Sequence, residues 1–129
     1  MILLSQNTCD YLRYLCEISI ESVDRASYVV DAEEAFRRHF LLLEDCYVNI
    51  VNPASVTANF HYCIFVYEIL EKKIPAIKLL RKKHQDIINN LDTIYKSYKN
   101  DYYILQRIED TIALWITDSN YLEEEYNKI

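Results

Sequence analysis

The chain has a stretch near its middle in which apolar residues cover every side of a helical wheel. Between residues 60 and 70 only His61 and Glu68 are clearly polar. A helix that is apolar all round is buried on all sides, in a protein core or in a membrane. This run is too short to cross a bilayer, because the charged residues 71–73 end it. The pattern therefore predicts that about residues 58–72 form the buried central helix of a bundle. A strand is the competing interpretation, and the helical pattern of the flanking segments favours the helix.

Other segments repeat apolar residues at the three- and four-residue spacing of an amphipathic helix. Residues 2–21 form the first such segment. Asp31, followed three residues later by a glutamate, forms a capping box that predicts the start of the next helix. That helix should end before Pro53, because the residue before a proline is disfavoured in the helical region. Ser55 or Thr57 is then expected to cap the central helix.

A long helix is predicted after the central one. Pro75 suits its first turn, and apolar residues then alternate by three and four from Ile77 to Tyr98. The pattern resumes from Leu105 to Trp115. Since strand-like alternation is nowhere sustained in the sequence, the predicted fold class is all-α.

Length, charge and composition narrow the class of protein. The 129 residues suffice for one domain, 1–129, with a sizeable core. The net charge of −6 argues against binding to nucleic acid or to an anionic membrane, and no transmembrane anchor is expected. The absence of glycine excludes a glycine-rich loop that cradles a phosphate. The four cysteines, at positions 9, 16, 46 and 63, are expected to be small buried hydrophobes in a reducing compartment.

The residue types that usually carry catalysis or bind metals are scattered along the chain. His39, His61 and His84 lack the helical spacing of a metal-binding pair. The adjacent carboxylates at 33–34 and 44–45 point to different helix faces and cannot act as a facing acid/base pair. We therefore expect no enzymatic activity, no metal and no cofactor.

Two motifs resemble homology regions of the Bcl-2 family. Residues 59–68, NFHYCIFVYE, resemble the first region, with an asparagine, an aromatic residue and a glutamate in register. Residues 114–120, LWITDSN, are similar to the second region, in which Trp-Ile is followed by Asp and Asn. Residues 23–27 resemble the start of the third region, and residues 9–14 resemble the opening helix of the family. The sequence is thus identified as a viral Bcl-2-like protein, and a large DNA virus of iridovirus or poxvirus type is the expected source.

The resemblance implies an anti-apoptotic protein that sequesters the amphipathic death-ligand helices of pro-apoptotic proteins in an apolar groove. The implied partners are pro-apoptotic Bcl-2 family proteins, namely Bim-like ligands and Bax-like or Bak-like executioners. The implied location is the host cytoplasm, with mitochondria reached through those partners. His61 and Tyr62 stand where the family has Gly and Arg, so narrow ligand binding is expected. The residues predicted to line the groove are Phe36, Phe40, Leu43, Tyr47, Asn59, Phe60, Tyr62 and Phe65.

Two other functions stay open at this point. Within the same fold, viral relatives also block host innate signalling. The regular seam from Ile77 to Tyr98 also permits a coiled-coil dimer that serves as an adaptor. Separately, twelve tyrosines and an apolar fraction of 51% predict a homodimer, because tyrosine is enriched at interfaces. The patch expected at its interface contains Tyr95, Tyr98, Tyr102 and Tyr103.

Overall fold

The computed structural model describes residues 1–19, 24–91 and 103–118, and within these ranges every regular element is an α-helix. The helices are α1 (Ile2–Ile18), α2 (Arg25–Asp45), α3 (Pro53–Glu68), α4 (Lys73–Asn90) and α5 (Tyr103–Asp118). The prediction of an all-α fold is confirmed. The further expectation that residues 1–129 form a single domain stays a prediction.

Helix α3 is the central helix, with α1 and α2 against one side and α4 and α5 against the other. The α2-side cluster contains the buried residues Cys9, Cys16, Ala32, Phe36, Phe65 and Ile69. The α4-side cluster includes Val56, Phe60, Cys63, Tyr67, Ile77, Leu80, Ile87, Ile108 and Trp115, all of them buried. Because α3 supplies residues to both clusters, it is apolar on every side, as its sequence predicts. The buried central helix is confirmed, although it runs from residue 53 to 68 rather than from 58 to 72.

The start of α3 is fixed by an asparagine and a proline. Asn52 has an extended backbone (φ −64°, ψ 134°), and its side-chain oxygen accepts a hydrogen bond of 2.9 Å from the Ala54 N–H. Pro53 occupies the first helical turn, where its missing N–H costs nothing. The preceding helix ends before this proline as predicted, although it ends already at Asp45 and not next to Asn52. The cap is Asn52, however, and not Ser55 or Thr57.

Helix α2 begins earlier than the capping box at Asp31 predicts. It starts at Arg25, so Asp31 lies inside the helix. The glutamate of the predicted box, Glu34, pairs instead with Arg37 at 2.6 Å and Arg38 at 2.8 Å. These are the i+3 and i+4 neighbours on a helix surface. An ion-pair pattern within a helix was thus mistaken for a helix start.

Buried polar contacts join α1 to α2. The imidazole of His39 is fully buried, and its Nδ1 lies 2.8 Å from the Ser5 hydroxyl. Burial lowers the pKa of His39, which favours the neutral ring. Near the other end of α1, the Arg25 Nε donates a hydrogen bond of 3.3 Å to the Cys16 carbonyl. These contacts link α1 to α2 at two places, and a shift of one helix along the other would break them.

The apolar residues that form the seam on α4 pack against other helices of the same chain. Ile77, Leu80 and Ile87 are at most 1% exposed in the α4-side cluster. The buried seam therefore gives no support to a coiled-coil dimer formed through these residues. The helix ends at Asn90, because Leu91 has an extended backbone (φ −71°, ψ 122°). The predicted continuation of the seam to Tyr98 lies outside the described residues.

Tyr47 and Glu71 have positive φ angles of 55° and 56° in a chain without glycine. Each lies just beyond a helix, and the next residue closes the helix end with a backbone hydrogen bond. Val48 N–H donates to Leu43 O at 2.9 Å, and Lys72 N–H donates to Val66 O at 3.1 Å. This closure usually places glycine at the left-handed position. Residues with a side chain occupy it here, which stores strain at both helix ends.

Replacing Tyr47 by glycine is expected to raise the free energy of unfolding by about 1 kcal/mol. The Tyr47 side chain is 95% exposed, so its removal costs little packing while the left-handed strain is relieved. Urea denaturation followed by circular dichroism measures the change. Tyr47→Ala is the matched control, because alanine removes the same ring but keeps the strained Cβ. Equal stability of the two variants would contradict this account.

Three of the four cysteines are buried as predicted, namely Cys9, Cys16 and Cys63. Cys46 is exposed, contrary to the prediction, because it lies just beyond the end of α2. Within the described ranges no group of His, Cys, Asp and Glu side chains is arranged to hold a metal ion. None of the helices described is both long enough and apolar enough to span a bilayer.

Candidate functional site

A row of polar side chains runs along the inner face of α1. Gln6, Asp10, Arg13 and Glu17 are spaced by three and four residues, so they lie on one side of the helix. Gln6 and Arg13 are only 9% and 7% exposed. The row faces α3, where His61 lies within hydrogen-bond distance of it. A polar row at this depth is unusual for a helix face that packs into a core, so it is the leading candidate for a site.

Asp10 is the centre of this row. Its Oδ1 accepts hydrogen bonds from His61 Nδ1 at 2.7 Å and from Gln6 Nε2 at 3.1 Å, and Arg13 Nη2 lies 3.9 Å away. Burial opposes ionisation of this carboxyl, but the hydrogen bonds from His61 and Gln6 and the charge of Arg13 outweigh it. The pKa of Asp10 is therefore lowered. The Asp10–His61 contact joins α1 to α3 across 51 residues of sequence.

Arg13 is the buried cation of the row. Its Nη1 donates a hydrogen bond of 3.2 Å to the Glu17 carboxylate, and its guanidinium lies 4.8 Å from the centre of the Tyr14 ring. Its Nε is buried and has no hydrogen-bond partner. Burial, the Glu17 charge and a hydrogen bond with Glu17 raise the pKa of Glu68 on α3, an effect that Arg13 partly offsets. A guanidinium with an unused N–H is suited to hold an oxyanion.

The residues predicted to line a groove occupy several different places. Phe36 and Phe65 are fully buried between α2 and α3, with ring centroids 5.3 Å apart. Leu43 is 4% exposed. Phe60 is 2% exposed and lies in the α4-side cluster, on the other side of α3. Asn59 donates from its side chain to the Ser55 carbonyl at 3.0 Å.

Phe40 and Tyr62 are the two predicted groove residues that lie together at a surface. Their ring centroids are 5.7 Å apart, and both line an open cleft of about 570 Å³ between α2 and α3. Tyr47 was predicted to share their face, but it lies beyond the end of α2 and its side chain is 95% exposed. Binding of a partner helix in the cleft stays a prediction.

Asp10, Arg13 and Glu17 were not predicted to be site residues. Their spacing by three and four residues was visible in the sequence. It could have indicated a site, because the buried face of a helix rarely carries a row of charged residues. The pairing of His61 with Asp10 was not predicted, because Asp10 is distant from it in sequence. Helix spacing alone does not reveal such pairs, since it reports only neighbours on the same helix.

Comparison with known proteins gives a consistent answer. The family model described as 14-3-3 protein matches residues 1–116. The 14-3-3-like protein 1 of Caenorhabditis elegans is 31% identical over 117 residues, which cover 90% of this chain and 46% of that protein. The 14-3-3 protein zeta of Bombyx mori is 31% identical over 111 residues, covering 85% and 44%. The 14-3-3 protein eta of Bos taurus is 30% identical over 110 residues, covering 84% and 44%. The chain therefore spans less than half the length of the curated relatives it matches.

These matches overturn the identification as a viral Bcl-2-like protein. They also overturn its anti-apoptotic function and its pro-apoptotic partners. The motifs that suggested the Bcl-2 family consist largely of core packing. Trp115 of the second motif stacks on Tyr67 of the first, with ring centroids 4.2 Å apart and an interplanar angle of 5°. Aromatic residues at helical spacing are common to many bundles, so they do not identify one family. The chain belongs to the 14-3-3 family.

Proposed function

We propose that this chain is a phosphoserine-binding adaptor, which holds phosphorylated segments of client proteins and has no enzymatic activity of its own. Membership of the 14-3-3 family supports this proposal. The proposed function is closer to the adaptor that the sequence left open than to the anti-apoptotic function. The observation that carries the proposal is Arg13, which is buried beside Tyr14 and has an unpaired Nε.

The chemistry of phosphate recognition fits these two residues. A guanidinium presents planar N–H groups that match two phosphate oxygens at once. Tyr14 is 52% exposed beside it and carries a hydroxyl that donates hydrogen bonds. The phosphate would approach the guanidinium from the side of the exposed Tyr14, while Glu17 holds its Nη1.

The acidic neighbours of Arg13 limit the affinity. Asp10, Glu17 and Glu68 bring three carboxylates close to one guanidinium, and a phosphoserine adds about −1.5 to −2 charges at neutral pH. We therefore expect binding that weakens as the salt concentration rises.

Binding of a fluorescent phosphoserine peptide tests the proposal. Anisotropy should show binding that the unphosphorylated peptide lacks. Arg13→Lys keeps the charge but loses the planar pair of donors, so affinity should fall about 10- to 100-fold, or roughly 1.5–3 kcal/mol. Arg38→Lys is the matched control, because the side chain of Arg38 is 74% exposed on α2. Melting temperatures of both variants establish that they fold.

Two results would refute the proposal. One is equal binding of the phosphorylated and unphosphorylated peptides. The other is that the Arg13→Lys variant binds the phosphorylated peptide as tightly as the unchanged chain does, which would show that the phosphate does not bind this guanidinium.

Location and assembly follow from the same proposal. The 14-3-3 family supports a cytoplasmic protein, whereas mitochondrial association depended on pro-apoptotic partners and is withdrawn. Dimers are formed in this family, so the predicted homodimer is retained as part of the proposal. Of the tyrosines expected at its interface, Tyr103 is 64% exposed at the start of α5. Tyr95, Tyr98 and Tyr102 lie outside the described residues.

A further inference from the structure

Tyr47 is the most exposed large hydrophobic residue in the described part of the chain. Its exposed fraction is 95%, against 89% for Met1 at the start of the chain. Its φ of 55° lies in the left-handed region, which a residue with a side chain occupies at a cost. At this exposure the ring makes almost no packing contact that could offset the cost. A strained residue without compensating contacts in the fold indicates a function for its side chain.

The surroundings of Tyr47 do not resemble a protein interface. Glu44, Asp45 and Asn49, which flank it in sequence, are all exposed. The centres of protein interfaces are depleted of charged residues, so a ring beside two carboxylates is poorly suited to anchor a stable partner. Glu71, which has the same backbone conformation, carries a charged side chain that is normally exposed to water. The feature peculiar to Tyr47 is therefore an accessible phenol hydroxyl.

We propose that Tyr47 is a phosphorylation site for a tyrosine kinase whose substrate-binding surface is basic. The magnesium complex of ATP is the phosphate donor. The phenol oxygen forms a bond to the γ-phosphorus while the bond from that phosphorus to the β–γ bridging oxygen breaks, and ADP leaves. The hydroxyl proton passes to the carboxylate base of the kinase. The inference does not depend on phosphoserine binding by this chain.

The place of Tyr47 in the fold gives a kinase access to it. The phenol has to enter the active-site cleft of the kinase, so the backbone on both sides of it must fit against the enzyme. Helix α2 ends at Asp45, and residues 48–49 have no regular secondary structure. Tyr11 and Tyr14, which are 63% and 52% exposed, lie within α1. Their backbone would have to leave the helix first, which costs free energy. Tyr47 is thus the better substrate.

The charges before Tyr47 indicate the class of kinase. Glu44 and Asp45 lie three and two positions before the tyrosine, and both are exposed. Kinases distinguish substrates partly by their charge pattern, and complementary charges steer the encounter of two proteins. Because the whole chain also carries a net charge of −6, a kinase with a basic substrate-binding surface fits this segment.

Phosphorylation of the folded 129-residue chain tests the proposal. The chain is incubated with magnesium, ATP and the catalytic domain of a tyrosine kinase that prefers acidic residues before the tyrosine. Mass spectrometry follows the modification of each tyrosine with time. Tyr47 should be modified at least ten times faster than Tyr11 or Tyr14, and Tyr47→Phe should remove most of the incorporated phosphate.

A double variant tests the contribution of the flanking charges. Glu44→Gln/Asp45→Asn keeps the size of both side chains but removes their charge, so the initial rate at Tyr47 should fall about fivefold. Asp31→Asn/Glu33→Gln is the matched control, because it removes two exposed carboxylates from an earlier part of α2. The control should stay within about twofold of the unchanged chain, and circular dichroism verifies that both variants fold.

Three results would overturn the proposal. The first is that Tyr47 is not modified. The second is that Tyr11 or Tyr14 is modified as fast as Tyr47, which would show that its position beyond α2 gives no advantage. The third is that the two double variants have the same rate, which would show that the carboxylates before Tyr47 do not select the kinase.

Discussion

Replacing Phe65 by alanine is expected to lower the free energy of unfolding by about 3–5 kcal/mol. Phe65 is fully buried in the α2-side cluster, and its ring lies 5.3 Å from Phe36 and 6.4 Å from Tyr62. Removing it leaves a cavity that α1, α2 and α3 cannot close without breaking their own contacts. A loss of this size is a large share of the stability of an ordinary small domain.

Urea denaturation followed by circular dichroism measures the effect. Val30→Ala is the control, because Val30 is 63% exposed on α2 and should change stability by less than about 0.5 kcal/mol. Hydrogen exchange gives the location of the damage, since amides of α1 and α2 should lose more protection than those of α5. A Phe65→Ala variant as stable as the control would show that α3 is not the centre of the core.

The part of the fold that was predicted correctly depends on local patterns. The all-round apolar pattern of α3 has few explanations other than burial on two sides, and the structure divides its residues between two clusters. The Asn52–Pro53 pair restricts the backbone directly, so the end of the preceding helix before this proline was predictable, whereas the start of α3 was predicted too late, after a cap at Ser55 or Thr57. The alternation of apolar residues by three and four likewise predicted which side of α4 is apolar, and Ile77, Leu80 and Ile87 pack there.

The helix ends were harder to predict, because different interactions share one sequence signature. Asp31 followed by Glu34 reads as a capping box, but Glu34 forms ion pairs within a helix that had begun at Arg25. Tyr47 continues the apolar spacing of α2, yet it takes a left-handed conformation that a search for glycine does not find.

The candidate site was missed because its pairs join distant parts of the chain. Asp10 and His61 are 51 residues apart, so nothing local connects them. The family was misassigned for the opposite reason, because the motifs around Phe60 and Trp115 are local and describe packing. A buried helix with an aromatic row occurs in many bundles, so such a motif does not identify one family.

The second large effect is expected at Trp115, on the opposite side of α3. Trp115 is 5% exposed and stacks on Tyr67, whose hydroxyl donates a hydrogen bond of 2.6 Å to Asp118. Burial and this bond raise the pKa of Tyr67 to about 12, so the phenol stays neutral at ordinary pH. Lys73 lies 3.6 Å from the same carboxylate and so links the start of α4 to the end of α5.

Trp115→Ala is therefore expected to lower the free energy of unfolding by about 3–5 kcal/mol. The chain has one tryptophan, so the variant must be followed by circular dichroism and not by tryptophan fluorescence. Leu114→Ala is the matched control, because the neighbouring Leu114 is 65% exposed and should contribute little. Native-state hydrogen exchange should show protection lost first in α5, while α1 and α2 retain theirs, which is the reverse of the pattern for Phe65→Ala. If both variants lost protection in the same helices, the two clusters would be one cooperative unit, and α3 would not separate them.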